Sequence, residues 1–262
     1  MENPAEGIRG IALRNRIAYN CVSDSVYRHD VPPNPTLFTG RKYAILARIA
    51  QIFQNPLQFL YVLPAILIGL TVHEWAHAYA AYRLGDPTAR NLGRMTLNPI
   101  AHIDLFGFLM LLLVGFGWAK PVPVNPRNFK HYKRDDIIVS LAGIFTNLVV
   151  AFLFSFVYVA GILKWGLGTN EAFMSIVGSV ITINLALAIF NLIPIYPLDG
   201  SHVAESLLMS KIPRVLMFLR QYGQWILIAL ILLGATSTLL GFLISGISSG
   251  FFSVAAWFVN LF

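Results

Sequence analysis

His73-Glu74-Trp75-Ala76-His77 lies inside an apolar stretch that extends over residues 56–82. On a helix, residues four positions apart are neighbours on one face, so His73 and His77 can offer their imidazoles to one metal ion. Glu74 then lies beside that ion, where it can act as the general base for a water molecule. Ionisable groups are costly in a helix of membrane length. This setting favours a functional site over a helix whose three polar side chains only satisfy one another's hydrogen bonds.

The composition of the 262-residue chain predicts an integral membrane protein. Hydrophobic residues make up 56% of the chain and charged residues 12%, whereas ordinary soluble chains carry about twice that charged fraction. The single cysteine, Cys21, cannot form an internal disulfide and lies outside the apolar stretches. The net charge is +7, but the basic residues lie in loops that flank apolar stretches, where lipid headgroups and insertion rules explain them. Nucleic-acid binding is therefore not expected.

The apolar stretches predict an all-α, polytopic membrane protein with about four transmembrane helices and one re-entrant or shallow segment. The predicted spans cover residues 56–82, 137–163, 173–193 and 225–244. Residues 105–117 are apolar but too few to cross about 30 Å of hydrocarbon as a helix. Residues 1–42 are predicted to form a polar tail, 43–55 an interfacial helix, 56–246 one membrane-embedded domain, and 247–262 a separate apolar C-terminal segment.

A third metal ligand is expected far along the chain, because two histidines leave a zinc ion one protein ligand short of a catalytic site. In the stretch from Asn191 to Gly200, Pro194 and Pro197 interrupt an apolar helix, and Asp199 follows them. Broken backbone at membrane depth is tolerated where protein or a water-filled cavity covers it. Asp199 could instead cap a helix that begins near Ser201. A cap does not need the preceding Asn-x-x-Pro, so the ligand role is favoured.

Other ionisable side chains near the apolar stretches are weaker candidates for metal ligands. Loop histidines near a bilayer surface are more often solvated or hydrogen-bonded to backbone than bound to metal. Residue 131 lies among basic neighbours, which disfavour a divalent ion, and residue 205 could support a helix start or orient a ligand. The residues weighed in this way are His102, Asp104, His131, His202 and Glu205.

The two distant motifs together resemble those of the site-2 protease family of intramembrane zinc metalloproteases, in its compact bacterial branch. The first motif matches the family's His-Glu-x-x-His. Residues 191–200 match its Asn-x-x-Pro-x-x-x-Leu-Asp-Gly at every fixed position, and residues 93–99 and 117–126 look like loop sequences of this branch. The resemblance implies one Zn²⁺ per chain, with His73, His77 and Asp199 as ligands and Glu74 as catalytic base. It also implies that residues 56–246 form a metalloprotease domain. The expected substrates are membrane proteins, which the domain would cleave in or near a transmembrane helix of the substrate, in regulated intramembrane proteolysis. Neither a PDZ domain nor a CBS domain fits in the remaining length, so regulation by such a domain within this chain is not expected.

A third segment of similarity adds Asn147 to the candidate site. Residues 141–147 resemble the family's Ala-Gly-Pro-x-x-Asn, with Ile144 in place of the proline. In the family this asparagine faces the active site, where a carboxamide could hydrogen-bond a substrate carbonyl or a developing oxyanion. The alternative role is an interhelical hydrogen bond.

Two other classes of function use the same residues. A divalent-metal or proton transporter could hold its ion at the two histidines and Asp199, but such a site does not need Glu74 beside its ligands. A catalytically silent membrane adaptor would be expected to have lost a ligand or the base, and here every one of them is present.

The distribution of basic residues predicts orientation. Eleven basic residues lie in or beside the loops on one inferred face of the protein, against only Lys164 on the other face. The positive-inside rule therefore predicts that the face with eleven basic residues is cytoplasmic. The expected location is a bacterial cell membrane, with the active site nearer its cytoplasmic side. The seven basic residues before position 54 conflict with this assignment, because a single crossing by residues 56–82 would place them on the opposite face. Either that region is translocated or the predicted number of crossings is wrong by one. The substrate and the oligomeric state are not specified by the sequence.

Overall fold

The computed structural model describes residues 56–114 and 117–261, and these residues form an α-helical bundle. The predicted polar tail, the interfacial helix and the conflict over their side of the membrane lie outside the described residues. The helices are α1 (Pro56–Arg83), α2 (Thr88–Asn91), α3 (Leu105–Val114), α4 (Tyr132–Leu163), α5 (Glu171–Asn191), α6 (Asp199–Leu208), α7 (Pro213–Leu232) and α8 (Ala235–Val259). The predicted all-α polytopic fold is confirmed.

Three long helices form the centre of the bundle. α1, α4 and α5 pack against one another, α8 packs on α4 and α5, and the short α6 packs on α4. The core between α4, α5 and α8 includes the fully buried Tyr158, Ile181 and Leu185, with Phe252 against them. Apolar packing thus fixes α4 and α5, the two helices that lie beside the polar motif of α1.

Large apolar side chains cover the outside of the bundle. Phe145 is 66% exposed and Phe242 78% exposed, and Leu153 and Trp257 are also exposed. Soluble proteins rarely expose so many large apolar side chains, whereas the hydrocarbon core of a bilayer is an apolar solvent for them. The outer surface therefore agrees with the composition, and the chain is an integral membrane protein.

Four of the described helices are long and apolar enough to cross a membrane, namely α4, α5, α7 and α8. The predicted number of about four is confirmed, but the set of helices differs from the prediction. α1, which covers the predicted span 56–82, is not among these four helices, and the predicted span 225–244 falls on two helices. Leu232 ends α7, Gly234 adopts a left-handed conformation with φ of 74°, and α8 begins at Ala235. This turn separates α7 from α8, and α8 continues through position 247 to Val259.

α1 carries the polar motif in its C-terminal half and is 28 residues long, which corresponds to about 42 Å. α3 contains ten residues, about 15 Å of helix, so it is too short to cross, as predicted for this segment. α5 ends at Asn191, three residues before Pro194, where the sequence predicts that a helix cannot continue. The following irregular segment, which contains a cis peptide bond between Tyr196 and Pro197, leads to α6 and Asp199.

Candidate metal centre

The two histidines of α1 lie side by side on the face that packs against α4. Both are buried, their Nε2 atoms are 3.0 Å apart, and their rings meet edge to face with centroids separated by 4.6 Å. The four-residue spacing produces this arrangement, because residues at i and i+4 lie one above the other on a helix.

Asp199 completes the cluster from the far end of the chain. Its Oδ2 atom lies 3.2 Å from Nε2 of His73 and 3.2 Å from Nε2 of His77. Asp199 is the first residue of α6, whereas Leu198 occupies the N-cap position and no side chain caps this helix. The alternative role of Asp199 as a helix cap is therefore not adopted. Burial alone would raise the pKa of Asp199, but the neighbouring His77 and His73 hold it well below its usual range.

The donor set fits a zinc ion. Two imidazole nitrogens and one carboxylate oxygen are typical catalytic zinc ligands, and bond lengths of 2.0–2.1 Å in a tetrahedral site separate ligand atoms by about 3.3–3.4 Å. The observed separations of 3.0–3.2 Å are close to this value. Among the residues that the structure describes, these three side chains form the one cluster of this kind.

α4 shapes the centre in two ways. Nδ1 of His77 lies 2.8 Å from the carbonyl oxygen of Val139, so an N–H at this position donates to the carbonyl and leaves Nε2 free for a metal. One turn further along, Gly143 faces the imidazoles: a Cβ at this position would lie 2.6 Å from Nε2 of His77 and 2.7 Å from Cε1 of His73. Glycine is therefore required where α4 crosses the two rings.

Glu74 is buried next to the histidines and is hydrogen-bonded to the loop between α3 and α4. Its Oε2 accepts a hydrogen bond of 2.8 Å from the backbone N–H of Val122. This contact fixes the orientation of the carboxylate while leaving further lone pairs for a proton. The sequence does not predict the partner of Glu74, because a backbone N–H carries no residue-specific signal.

Asn147 is fully buried on α4, one turn beyond Gly143. Neither its amide nitrogen nor its amide oxygen has a hydrogen-bond partner among the described residues. The interhelical hydrogen bond considered as its alternative role is therefore not formed among these residues. A carboxamide left unpaired in a dry interior is costly.

The weaker candidate ligands are engaged elsewhere. His102 is buried with Nε2 at 2.8 Å from the carbonyl oxygen of Thr96, and Asp104 accepts a hydrogen bond from the Gly107 N–H at the start of α3. Further contacts pair His202 with Asp136 at 3.7 Å and Glu205 with Arg220 at 3.9 Å, and the backbone N–H of His131 donates to Asp135. None of these side chains joins the cluster of the two histidines and Asp199.

Comparison with known proteins agrees with these geometric features. A family model described as peptidase family M50 matches residues 160–234, which include the Asn191–Gly200 motif. The chain is 40% identical to "Putative zinc metalloprotease YwhC" of Bacillus subtilis over 167 residues, which are 62% of this chain and 76% of that protein. It is 28% identical to "Putative zinc metalloprotease Rip2" of Mycolicibacterium smegmatis over 209 residues, 77% of this chain and 74% of the relative. The Rip2 protein of Mycobacterium tuberculosis H37Rv is 29% identical over 92% of both chains. No solved structure matches the chain significantly.

Proposed function

Because the chain belongs to peptidase family M50, the site-2 protease family, we propose that it is a zinc-dependent endopeptidase that cleaves membrane proteins in or near their transmembrane segments. The observation that carries this proposal is the convergence of His73, His77 and Asp199 within 3.2 Å of one another beside the buried Glu74. Zinc is the metal that this donor set and the names of the relatives support.

The proposed roles follow from the positions of the side chains. His73, His77 and Asp199 hold the ion, and bound zinc supplies Lewis acidity that activates water and polarises a carbonyl. Glu74 accepts the proton of the attacking water and later transfers it to the leaving amine. Asn147 offers an unpaired N–H₂ group one helical turn from Gly143, where it can hydrogen-bond the substrate carbonyl or the developing oxyanion.

The substrate class follows from the bilayer setting. A transmembrane helix hides its carbonyls in hydrogen bonds, so a segment of the substrate must unwind before a nucleophile can reach one. Substrates with glycine, proline or other weak helix formers near the scissile bond are favoured for this reason. The basic loops that flank the catalytic helices support a cytoplasmic location for this side of the bundle, in the cell membrane of a bacterium.

The test is cleavage of a model transmembrane substrate by the purified full chain reconstituted in liposomes. We expect one zinc per chain, cleavage sites that map by mass spectrometry to the membrane segment, loss of activity with a chelator and recovery with zinc. Glu74→Gln keeps the shape of the side chain but cannot take up a proton, so it should retain zinc and lose cleavage. Cleavage by Glu74→Gln at the wild-type rate, or a folded preparation with far less than one zinc per chain, would contradict the proposal. Zinc flux across the liposomes without cleavage would favour a transporter instead.

A further inference from the structure

Residues 118–128, which we term the base loop, lie against the catalytic helix and supply the hydrogen bond to Glu74. The loop is anchored at several backbone positions. The N–H of Lys120 donates to the carbonyl of His102 at 2.9 Å, and the N–H of Val122 donates to Oε2 of Glu74 at 2.8 Å. A third anchor lies three residues further on, where the N–H of Asn125 donates to Oδ2 of Asp86 at 2.7 Å.

Asp86 is the hub of this third anchor. It lies three residues beyond the end of α1, is fully buried, and accepts four hydrogen bonds. Two come from Thr88, from the backbone N–H at 3.1 Å and the hydroxyl at 2.5 Å. The other two come from the base loop, from the N–H of Asn125 and from Nδ2 of Asn128 at 2.7 Å. Burial acts to raise the pKa of Asp86, but these donors outweigh it and lower the pKa, so the carboxylate is ionised and its hydrogen bonds are charge-assisted.

The two carboxylates thus connect one helix to one loop. Glu74 lies within α1 and binds Val122, whereas Asp86 follows the end of α1 and binds Asn125 and Asn128. A base must present its carboxylate to water in a fixed orientation, and the Val122 N–H can fix it only while the loop keeps its position. Errors of about 1 Å in such positions can cost about 100-fold in rate.

We infer that Asp86 is a positioning residue for catalysis: it holds the base loop so that the N–H of Val122 orients the carboxylate of Glu74. This inference rests on the proposed function, in which Glu74 is the base. Asp86 contacts none of the proposed metal ligands. Its loss should therefore lower kcat and leave zinc content and KM nearly unchanged, whereas a general loss of folding would lower zinc content together with the apparent kcat.

Two substitutions separate positioning from local stability. Asn128→Ala removes one hydrogen bond between Asp86 and the base loop, and kcat should fall about fivefold. Thr88→Val removes a hydroxyl donor from the same carboxylate oxygen without touching the loop, so kcat should stay at the wild-type value. Asp86→Ala, which removes all four bonds, should lower kcat by about ten- to 100-fold where the variant folds. Asn128→Ala keeps the test valid if Asp86→Ala does not fold.

Amide hydrogen exchange of the zinc-loaded protein gives a readout that does not depend on activity. Exchange of the Val122 and Asn125 amides should accelerate at least tenfold in Asp86→Ala and more moderately in Asn128→Ala, with α1 and α4 unchanged. In Thr88→Val it should stay as in the wild type. Unchanged exchange at Val122 in both Asp86→Ala and Asn128→Ala, or accelerated exchange with wild-type kcat, would overturn the inference and leave the proposed function standing. Failure of the wild-type protein to cleave any transmembrane substrate would remove the proposed function, while the exchange data would still test the anchor.

Discussion

Replacement of Asp199 by alanine tests the most distant contact in the proposed zinc site. Oδ2 of Asp199 lies 3.2 Å from both imidazole nitrogens, so the substitution removes one of three ligand atoms and leaves two histidines on one helix. Loss of residues that merely orient a ligand weakens metal binding about 10–100-fold. We therefore expect Asp199→Ala to weaken zinc binding by more than about 100-fold, or more than about 2.7 kcal/mol.

The expected loss is larger than any effect through the helix. Asp199 is the first residue of α6 and makes no capping hydrogen bond, so its remaining structural contribution is the interaction of its charge with the helix dipole, about 0.3–1 kcal/mol. The assay is competition with a chromophoric chelator in detergent, together with metal analysis and a thermal unfolding curve. Zinc affinity and cleavage should fall together while the fold survives.

Asp104→Ala and His202→Ala are the matched controls, since both remove an ionisable side chain that lies outside the cluster. Both should keep the zinc affinity of the wild type. Wild-type affinity in Asp199→Ala would refute the reasoning, and so would a loss of zinc in either control, because the third ligand would then lie elsewhere.

Three further perturbations test separate features. Gly143→Ala should weaken zinc binding at least tenfold in the same titration, because its Cβ would lie 2.6 Å from His77, whereas Gly246→Ala, with no atom within 4 Å, should have no effect. Asn147→Ala should lower kcat by about 100-fold at unchanged zinc content if its amide stabilises the transition state, and wild-type kcat in cleavage assays would exclude that role. The interaction with the Asp136 carboxylate, 3.7 Å away, raises the pKa of His202, so the stabilising contribution of this pair is complete below pH 6.5 and disappears as pH rises through the higher pKa of the folded state. Thermal unfolding midpoints should therefore fall between pH 6 and 8 more in the wild type than in His202→Ala, and identical pH dependence would show that the pair contributes nothing.

The sequence predicts the side-chain part of the site and misses its backbone part. The spacing of His73 and His77 and the broken helix before Asp199 are local patterns, and the structure brings these residues together. The carbonyl of Val139 and the N–H of Val122 are groups that every residue carries, so no pattern could identify them as partners of His77 and Glu74.

The fold shows the same division between local and non-local information. Hydropathy identifies α4 and α5 because each is a long apolar stretch bounded by polar residues. It does not separate α7 from α8, because apolar residues continue through Leu233 and only the left-handed backbone of Gly234 ends the helix. The role of Asp86 depends on partners about 40 residues further along the chain, and only the folded structure shows them.

The passage of α4 across the two imidazoles limits how this bundle can move. Residue 143 must be glycine where the helix meets the rings, and the carbonyl of Val139 must stay at Nδ1 of His77. A slide of α4 by one turn, about 5.4 Å, would bring Val139 or Asn147 to the position of Gly143 and press a side chain onto the histidines. α4 therefore has a single axial register relative to α1 that is compatible with an intact centre. Any opening that admits a polypeptide must leave these two helices locked together.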